Sequence, residues 1–249
     1  MGALKLQIDD PVNVALFLDL DGTLFDIAAS PTEVTTPPGL ASILERLQQG
    51  LGGAVAILTG RQIDDVDRLL APLRLPTAGV HGAELRLEPE GEIEVASDSV
   101  PAPLVAAVER LAQATPGLLF EHKGISVAVH YRAVPAIEPV LERDLRGLLD
   151  AHSSQLILSH GRRVFELTPP SSSKGVALAR LMQRARFRGR RPVMIGDDMP
   201  DEAALEAATR LGGFGLKVKG EHFHGDATHF SGPAHVRHWL DDLAEKLGT

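Results

Sequence analysis

Two aspartates separated by one residue directly follow the first apolar run of the sequence. Asp19 and Asp21 lie in segment 19–24 (DLDGTL), after the run Val14–Leu18. Because two carboxylates this close repel each other, a cation is expected beside them, and Mg²⁺ suits hard oxygen ligands and phosphate. One carboxylate can attack phosphorus, while the other protonates the leaving oxygen and later activates water. The alternative is an acidic turn that ends a strand, since Asp and Gly are common turn residues.

A second acidic segment, 196–202 (GDDMPDE), follows the apolar run 192–195 (PVMI). Carboxylates at a second strand end can complete the coordination of magnesium, so we expect Asp197 to be a ligand. Asp198 and Asp201 are candidates for supporting positions around it. For Asp201 an alternative stays open, because acidic residues are also favoured in the first turn of a helix.

Two further residues are suited to a phosphate group. Thr59 follows the apolar run 54–58 (AVAIL) and offers a hydroxyl and nearby backbone N–H groups. Lys174 begins a predicted helix and offers a point charge to a nucleophile and a phosphoryl group. Either residue alone is more often a solvated surface residue. A phosphate site is predicted because four polar segments occur in order along the chain, each at a predicted strand end or helix start.

The elements that must position these residues alternate along the chain. Apolar runs at Val14–Leu18, 54–58 and 192–195 predict buried parallel strands, and helical spacing follows the first two runs. This alternation is typical of a doubly wound α/β fold with a mostly parallel sheet. We therefore assign residues 1–99 and 170–249 to an α/β core.

The middle of the chain has a different pattern: one helix, two strands, a second helix and two more strands. This pattern predicts a small α+β domain over residues 100–169, inserted into the core as a cap. Polar residues on adjacent predicted hairpins can hydrogen-bond sugar hydroxyls and phosphate oxygens; they are Glu121, Lys123, Arg132 and Glu166. A solvated, salt-bridged sheet face is the alternative.

The composition excludes several classes of function. The chain of 249 residues has no cysteine and a formal charge of −8. There can be no disulfide framework, cysteine nucleophile or thiolate zinc site, and a net acidic surface disfavours nucleic acid and anionic membranes. We see no signal peptide and no apolar stretch long enough to span a membrane, and we expect a cytoplasmic monomer. The histidines near the C-terminus fit no compact zinc pattern; they are His222, His224, His229, His235 and His238.

Four of these segments together resemble the four motifs of haloacid dehalogenase-type phosphatases. They are DLDGTL, LTGR (58–61), Lys174-Gly175 and GDDMPDE. The resemblance implies a Rossmann-like core with its cap between the second and third motifs. It also implies that Asp19 is the nucleophile and Asp21 the general acid/base, that Thr59 and Lys174 assist, and that Asp19, Asp21 and Asp197 hold Mg²⁺.

Further segments resemble trehalose-6-phosphate phosphatases, over roughly residues 15 to 205. They are GVHGAE (79–84), EHKG (121–124), HYR (130–132) and FEL (165–167). The implied substrate-binding residues are Arg61, His81, Glu121, Lys123, His130, Arg132 and Glu166. Pro200 departs from the family, which usually has threonine there, and PPSSSKG (169–175) replaces a more glycine-rich approach to the lysine. Both departures concern loop shape more than charge.

The expected activity is hydrolysis of trehalose 6-phosphate to trehalose and phosphate through an aspartyl phosphate. A phosphatase for sucrose phosphate or mannosyl-3-phosphoglycerate is the alternative within the same class. Two other classes stay open: a non-catalytic sugar-phosphate-binding domain and a phosphoacceptor signalling domain. Asp19 and Asp21 are both present, which disfavours the first, and a large inserted cap disfavours the second.

Overall fold

A computed structural model describes residues 13–28, 33–95, 99–152, 155–170 and 172–249. The N-terminal segment, where we expect no leader, and Ser171 of the serine-rich turn lie outside the described residues. The strands are β1 Val14–Leu18, β2 Val55–Leu58, β3 Thr77–Gly79, β4 Glu84–Arg86, β5 Glu94–Val95, β6 Leu119–His122, β7 Val127–His130, β8 Ile157–Gly161, β9 Val164–Thr168, β10 Arg191–Gly196 and β11 Phe214–Lys217. The helices are α1 Leu40–Gly50, α2 Ile63–Leu70, α3 Ala102–Gln113, α4 Glu138–Ala151, α5 Lys174–Met182, α6 Glu202–Arg210 and α7 Pro233–Lys246.

The larger sheet has seven strands in the order β11-β10-β1-β2-β3-β4-β5. Strands β11 through β3 pair in parallel, and β4 and β5 add antiparallel pairs at one edge. All five residues of β1 are buried, as expected for a central strand covered on both faces. The parallel pairing brings the carboxyl ends of β10, β1 and β2 side by side. The predicted α/β class with a mostly parallel sheet is confirmed.

The helices around this sheet bury one apolar stripe each. In α1 the buried residues Leu40, Leu44 and Leu47 recur at helical spacing. Strands β4 and β5 were not predicted from the sequence. These strands have only three and two residues, too few for an alternating pattern to be recognised.

The smaller sheet has four antiparallel strands in the order β6-β7-β9-β8. Apolar side chains of β7 and β9 form a separate core with α3 and α4, which includes Val129, Phe165, Leu104 and Leu145. The opposite face of the sheet carries Glu121 and Glu166. The described elements of this unit follow the predicted order, while the limits at residues 100 and 169 and the role of a cap remain predictions.

None of the helices in the described ranges is long and apolar enough to cross a membrane.

One arginine is fully buried beneath the edge of the large sheet. Arg86 on β4 donates from Nη1 and Nη2 to the two carboxylate oxygens of Asp67 in α2, each at 2.6 Å. Its Nη2 also donates to the Leu75 carbonyl at 3.0 Å. The pair fastens α2 and the loop behind it to the antiparallel edge of the sheet.

We expect Arg86→Leu to lower the free energy of unfolding by about 2 kcal/mol, because it removes buried hydrogen bonds to the charged Asp67 carboxylate, which keeps only its pair with Arg74, and to the Leu75 carbonyl, which keeps only the bond from Thr77. Urea denaturation measures this change. Arg143→Leu is the matched control: Arg143 is exposed and pairs with its neighbour Asp144, so the loss should stay below about 1 kcal/mol. Equal losses for the two variants would contradict a structural role for Arg86.

Candidate active site

A cavity of about 160 Å³ lies between the carboxyl edge of the large sheet and the open face of the small sheet. All the site residues predicted from the sequence line it: Asp19, Asp21, Thr59, Arg61, His81, Glu121, Lys123, His130, Arg132, Glu166, Lys174, Asp197, Asp198 and Asp201. The fold therefore brings segments that lie far apart in sequence, from Asp19 to Asp201, into one cleft.

Three buried carboxylates form a cluster at the ends of β1 and β10. Asp19, Asp197 and Asp201 each offer an oxygen, and these oxygens lie within 4.8 Å of one another. The backbone N–H of Asp19 donates to the Ile195 carbonyl, which continues the pairing of β1 with β10. Thr23 Oγ1 donates to Asp197 Oδ1 at 3.2 Å.

Gly22 gives the Asp197 carboxylate its space. Its φ is +86°, and a Cβ at this position would lie 2.1 Å from Asp197 Oδ2. A side chain is therefore excluded both by backbone conformation and by contact. Asp197 of the second acidic segment can therefore occupy its position only because residue 22 of the first motif is glycine.

Lys174 partly neutralises the cluster. Its Nζ donates to Asp19 Oδ1 at 2.7 Å and to Asp201 Oδ1 at 2.6 Å. Ser173 caps α5 by accepting the Val176 N–H, which fixes the start of the helix at Lys174. Burial alone would lower the pKa of Lys174, but the two carboxylates raise it above its usual value.

Asp201 hydrogen-bonds to the protein around the cluster and so stabilises it. Besides the contact with Lys174, its Oδ2 accepts the backbone N–H groups of Asp197 at 3.0 Å and Asp198 at 3.1 Å. Both of its oxygens are thus engaged by the protein. Asp19 and Asp197 are the members better placed to hold a cation, and Asp201 shapes the loop that presents Asp197.

The charge of the cluster is not balanced by the protein. Burial and the neighbouring Asp201 raise the pKa of Asp19 to about 7, even though Lys174 acts in the opposite direction. Burial and the charges of Asp19, Asp201 and Asp198 raise the pKa of Asp197 to about 9. A buried set of hard oxygen donors with unbalanced negative charge fits Mg²⁺.

Asp21 lies outside this cluster of carboxylates. Arg61 donates to it from Nε at 2.6 Å and from Nη2 at 2.7 Å, in a two-pronged ion pair. Thr59 Oγ1 accepts the Arg61 backbone N–H at 3.2 Å, so the loop after β2 holds the arginine in place. The structure thus joins the first and second motifs through Asp21 and Arg61.

Glu166 is the centre of a polar group on the open face of the small sheet. Its Oε2 accepts from Lys123 Nζ at 3.0 Å and lies 3.1 Å from His81 Nε2, and its Oε1 accepts from Ser126 Oγ at 2.8 Å. Burial alone would raise the pKa of Glu166, but Lys123 and His81 hold it well below its usual value. Sequence reasoning missed Ser126, whose position between two glutamate-bearing strands depends on strand register.

His81 lies in a strained turn. Val80 and His81 have φ values of 46° and 54°, in the left-handed region that β-branched residues rarely occupy. The backbone N–H groups of this turn bond to the Arg61 and Thr59 carbonyls, both at 2.9 Å. A Cβ on Gly60 would lie 2.7 Å from the His81 ring, so that glycine makes the close packing possible.

The remaining predicted substrate residues lie at the edge of the cleft. His130 Nε2 is 2.8 Å from Glu121 Oε2 on the adjacent strand. Arg132 donates to the Ala28 carbonyl in the loop after β1. The small sheet therefore contacts the loop that carries Asp19 and Asp21.

The histidines near the C-terminus do not form a cluster in the part of the chain that the structure describes. His222 pairs with Glu202, and His229 Nδ1 accepts the Lys217 backbone N–H. None of them belongs to the group of metal-competent side chains found in that part of the chain.

Comparison with known proteins agrees with the fold and the site. The family model described as trehalose-phosphatase matches residues 17–235. A probable trehalose-phosphate phosphatase of Sinorhizobium fredii is 40% identical over 223 residues, covering 88% of this chain and 81% of the relative. The trehalose-6-phosphate phosphatase of Escherichia coli is 37% identical over 205 residues, covering 82% of this chain and 77% of the relative.

The fold is also similar to that of the C-terminal domain of a Candida albicans trehalose-6-phosphate phosphatase. The TM-score is 0.81 at 19% identity, with 94% of this chain and 92% of the other covered. The fold and the acidic cleft define an α/β protein of the haloacid dehalogenase-like class. Within it, the chain belongs to the trehalose-phosphatase family, which confirms the resemblance seen in the sequence.

The raised pKa values predict how a divalent cation affects stability. Asp19 and Asp197 keep protons in the folded state that they lose near pH 4 when unfolded, so their contribution to stability falls as pH rises toward 7 and 9. Magnesium needs both groups ionised and should offset this loss. We expect the increase in Tm on adding Mg²⁺ to be larger at pH 9 than at pH 6, measured by thermal denaturation against a chelator blank.

Asp197→Asn is the control for this measurement and should remove most of the increase in Tm at both pH values. An increase that is equal at pH 6 and pH 9 in the wild-type protein would contradict cation binding by Asp19 and Asp197.

Proposed function

We propose that this protein hydrolyses trehalose 6-phosphate to trehalose and inorganic phosphate, with Asp19 as nucleophile. The observation that carries the proposal is the pairing of two sites across one cavity. Buried Asp19, Asp197 and Lys174 lie on one side, and a polar group around Glu166 lies on the other. The names of the bacterial relatives support the substrate.

In the proposed first step, Asp19 attacks phosphorus, the ester P–O bond breaks, and an aspartyl phosphate forms. Asp21 gives a proton to the departing sugar oxygen. In the second step Asp21 takes a proton from water, which attacks the aspartyl phosphate and releases inorganic phosphate. Lys174 and the hydroxyl of Thr59 stabilise the charge on the phosphoryl oxygens.

Asp19 and Asp197 are the residues that would hold Mg²⁺, which when bound neutralises phosphoryl oxygens and orients the phosphate. Asp201 and Lys174 keep both carboxylates in position. The side chain of Asp21, which was also expected to bind the metal, is paired with Arg61. Arg61 would therefore set the resting position of the proposed acid.

Residues 100–169 would act as the cap that recognises the sugar and covers the phosphate. Glu121, Lys123 and Glu166 offer acceptors and donors suited to hydroxyl groups. His81, His130, Arg132 and Arg61 would complete the contacts. The burial of Asp19, with 5% of its surface exposed, disfavours a phosphoacceptor domain, whose aspartate must be open to a partner protein.

The first test is phosphate release from a panel of sugar phosphates with Mg²⁺. We expect a strong preference for trehalose 6-phosphate and a decrease of more than about 10³-fold in Asp19→Asn, because the nucleophile is lost. Similar rates on all sugar phosphates would reject the substrate and keep the reaction class. No release by the folded wild-type protein would favour a sugar-phosphate-binding domain.

The second test concerns sugar recognition. Glu166→Gln removes the charge that faces Lys123 and His81 and should raise KM for trehalose 6-phosphate by about 10-fold or more, the effect of losing hydrogen bonds to a charged group. KM for p-nitrophenyl phosphate should change much less, since that substrate has no sugar. Glu206→Gln, at an exposed position on α6, is the matched control. Equal increases in KM for both substrates would argue against recognition of the sugar by Glu166.

A further inference from the structure

The small sheet contacts several of the loops that follow strands of the large sheet. Lys123 Nζ donates to the Gly60 carbonyl after β2 at 2.9 Å, and Arg132 donates to the Ala28 carbonyl after β1. A third contact reaches the acidic loop after β10. It is made by the turn of the β8–β9 hairpin, which none of the sequence motifs includes.

Arg162 is the residue of the hairpin that makes this third contact. Its backbone N–H faces the Asp198 carboxylate, and its guanidinium Nη2 lies 3.5 Å from Glu221 Oε1. The adjacent Gly161 lies beside the same carboxylate, since a Cβ built there would be 3.6 Å from Asp198 Oδ2, and within the hairpin it would be 2.9 Å from Val164 Cγ1. Arg163, with a φ of 58°, completes the tight turn.

On the other side of the contact, Asp198 also determines the shape of the acidic loop. Its Oδ1 accepts the Met199 backbone N–H at 2.8 Å, and its own N–H donates to Asp201 Oδ2 at 3.1 Å. These reciprocal bonds form a capping box around the turn Met199–Asp201. Asp198 does not belong to the group formed by Asp19, Asp197 and Asp201. Its carboxylate is directed to the hairpin and to its own turn.

We propose that Asp198 is a positioning residue, which docks the β8–β9 hairpin on the acidic loop and so brings Glu166 to the cleft. Glu166 is on β9, four residues after Arg162, so the position of the turn determines where its carboxylate lies. The enclosure of the sugar by the hairpin then depends on the conformation of the loop that carries Asp197. The inference rests on the proposed function, because it concerns how that substrate is enclosed.

Asp198→Asn tests this role. The amide keeps one oxygen for the Met199 N–H but replaces the other with an NH₂ group, which cannot accept from Arg162. We expect the ratio of kcat/KM for trehalose 6-phosphate to kcat/KM for p-nitrophenyl phosphate to fall about tenfold, the size of a hydrogen bond to a charged group. Damage to the metal site would lower both values and leave the ratio unchanged. Asp150→Asn, an exposed aspartate on α4, is the control for loss of charge and should not alter the ratio.

Docking can also be measured without turnover. The chain has no cysteine, so Arg162→Cys with Glu221→Cys provides the only two thiols for a short bis-maleimide. The backbone N–H of residue 162 is retained. We expect rapid intramolecular cross-linking in this background and a rate several-fold lower when Asp198→Asn is added.

The proposal requires both the ratio and the cross-linking rate to fall in Asp198→Asn. If either equals that of the Asp150→Asn control, Asp198 does not dock the hairpin. If the wild-type protein does not hydrolyse trehalose 6-phosphate, the proposed function fails, and the cross-linking rate alone decides whether Asp198 docks the hairpin.

Discussion

Negative charge at the carboxyl edge of β1 and β10 is the constraint on which the rest of the site depends. Three carboxylates lie within 4.8 Å of one another in a buried position, and one ammonium group, that of Lys174, lies among them. In a medium of low polarity, like charges so close are strongly unfavourable unless a cation or a proton is present. The raised pKa values of Asp19 and Asp197 are the consequence. Neighbouring features serve this cluster: Gly22 leaves room for Asp197, Thr23 donates to it, and Ser173 fixes the start of the helix that carries Lys174.

The predictions from sequence were most accurate where chemistry follows directly from a strand end. Asp19 comes immediately after an apolar run and Asp197 comes one residue after another, and parallel pairing of β1 with β10 places them together. The pattern of the small sheet was also evident, because its strands and helices have the usual lengths and spacings. The positions of Glu121 and Glu166 on one face follow from the alternation of side chains along a strand.

Other features could not be predicted, because they depend on tertiary contacts that have no local pattern. The pairing of Asp21 with Arg61 depends on the rotamers of the two side chains. The bond of Ser126 to Glu166 depends on the register in which the strands pair. The turn residues Val80 and His81 adopt the left-handed backbone conformation, which valine rarely adopts. Bonds from this turn to the backbone of the loop after β2 hold it in place. The segment GVHGAE was noted only by resemblance, and its physical role became evident from the close packing of His81 on Gly60.

The two sides of the cleft differ in how far the protein itself balances their charge, and this difference indicates which part of a ligand belongs on each side. Glu166 is buried like Asp19, yet Lys123, His81 and Ser126 all contact it, and its pKa is depressed. Asp19 shares a single lysine with Asp201, and its pKa is raised. The Glu166 side therefore needs no added charge and suits a neutral group with many hydroxyls, which can exchange hydrogen bonds with the polar residues there. The Asp19 side needs added positive charge, and a divalent cation that supplies it also attracts a phosphate dianion. A sugar phosphate matches both sides, because its neutral sugar suits the Glu166 side and its phosphate suits the Asp19 side.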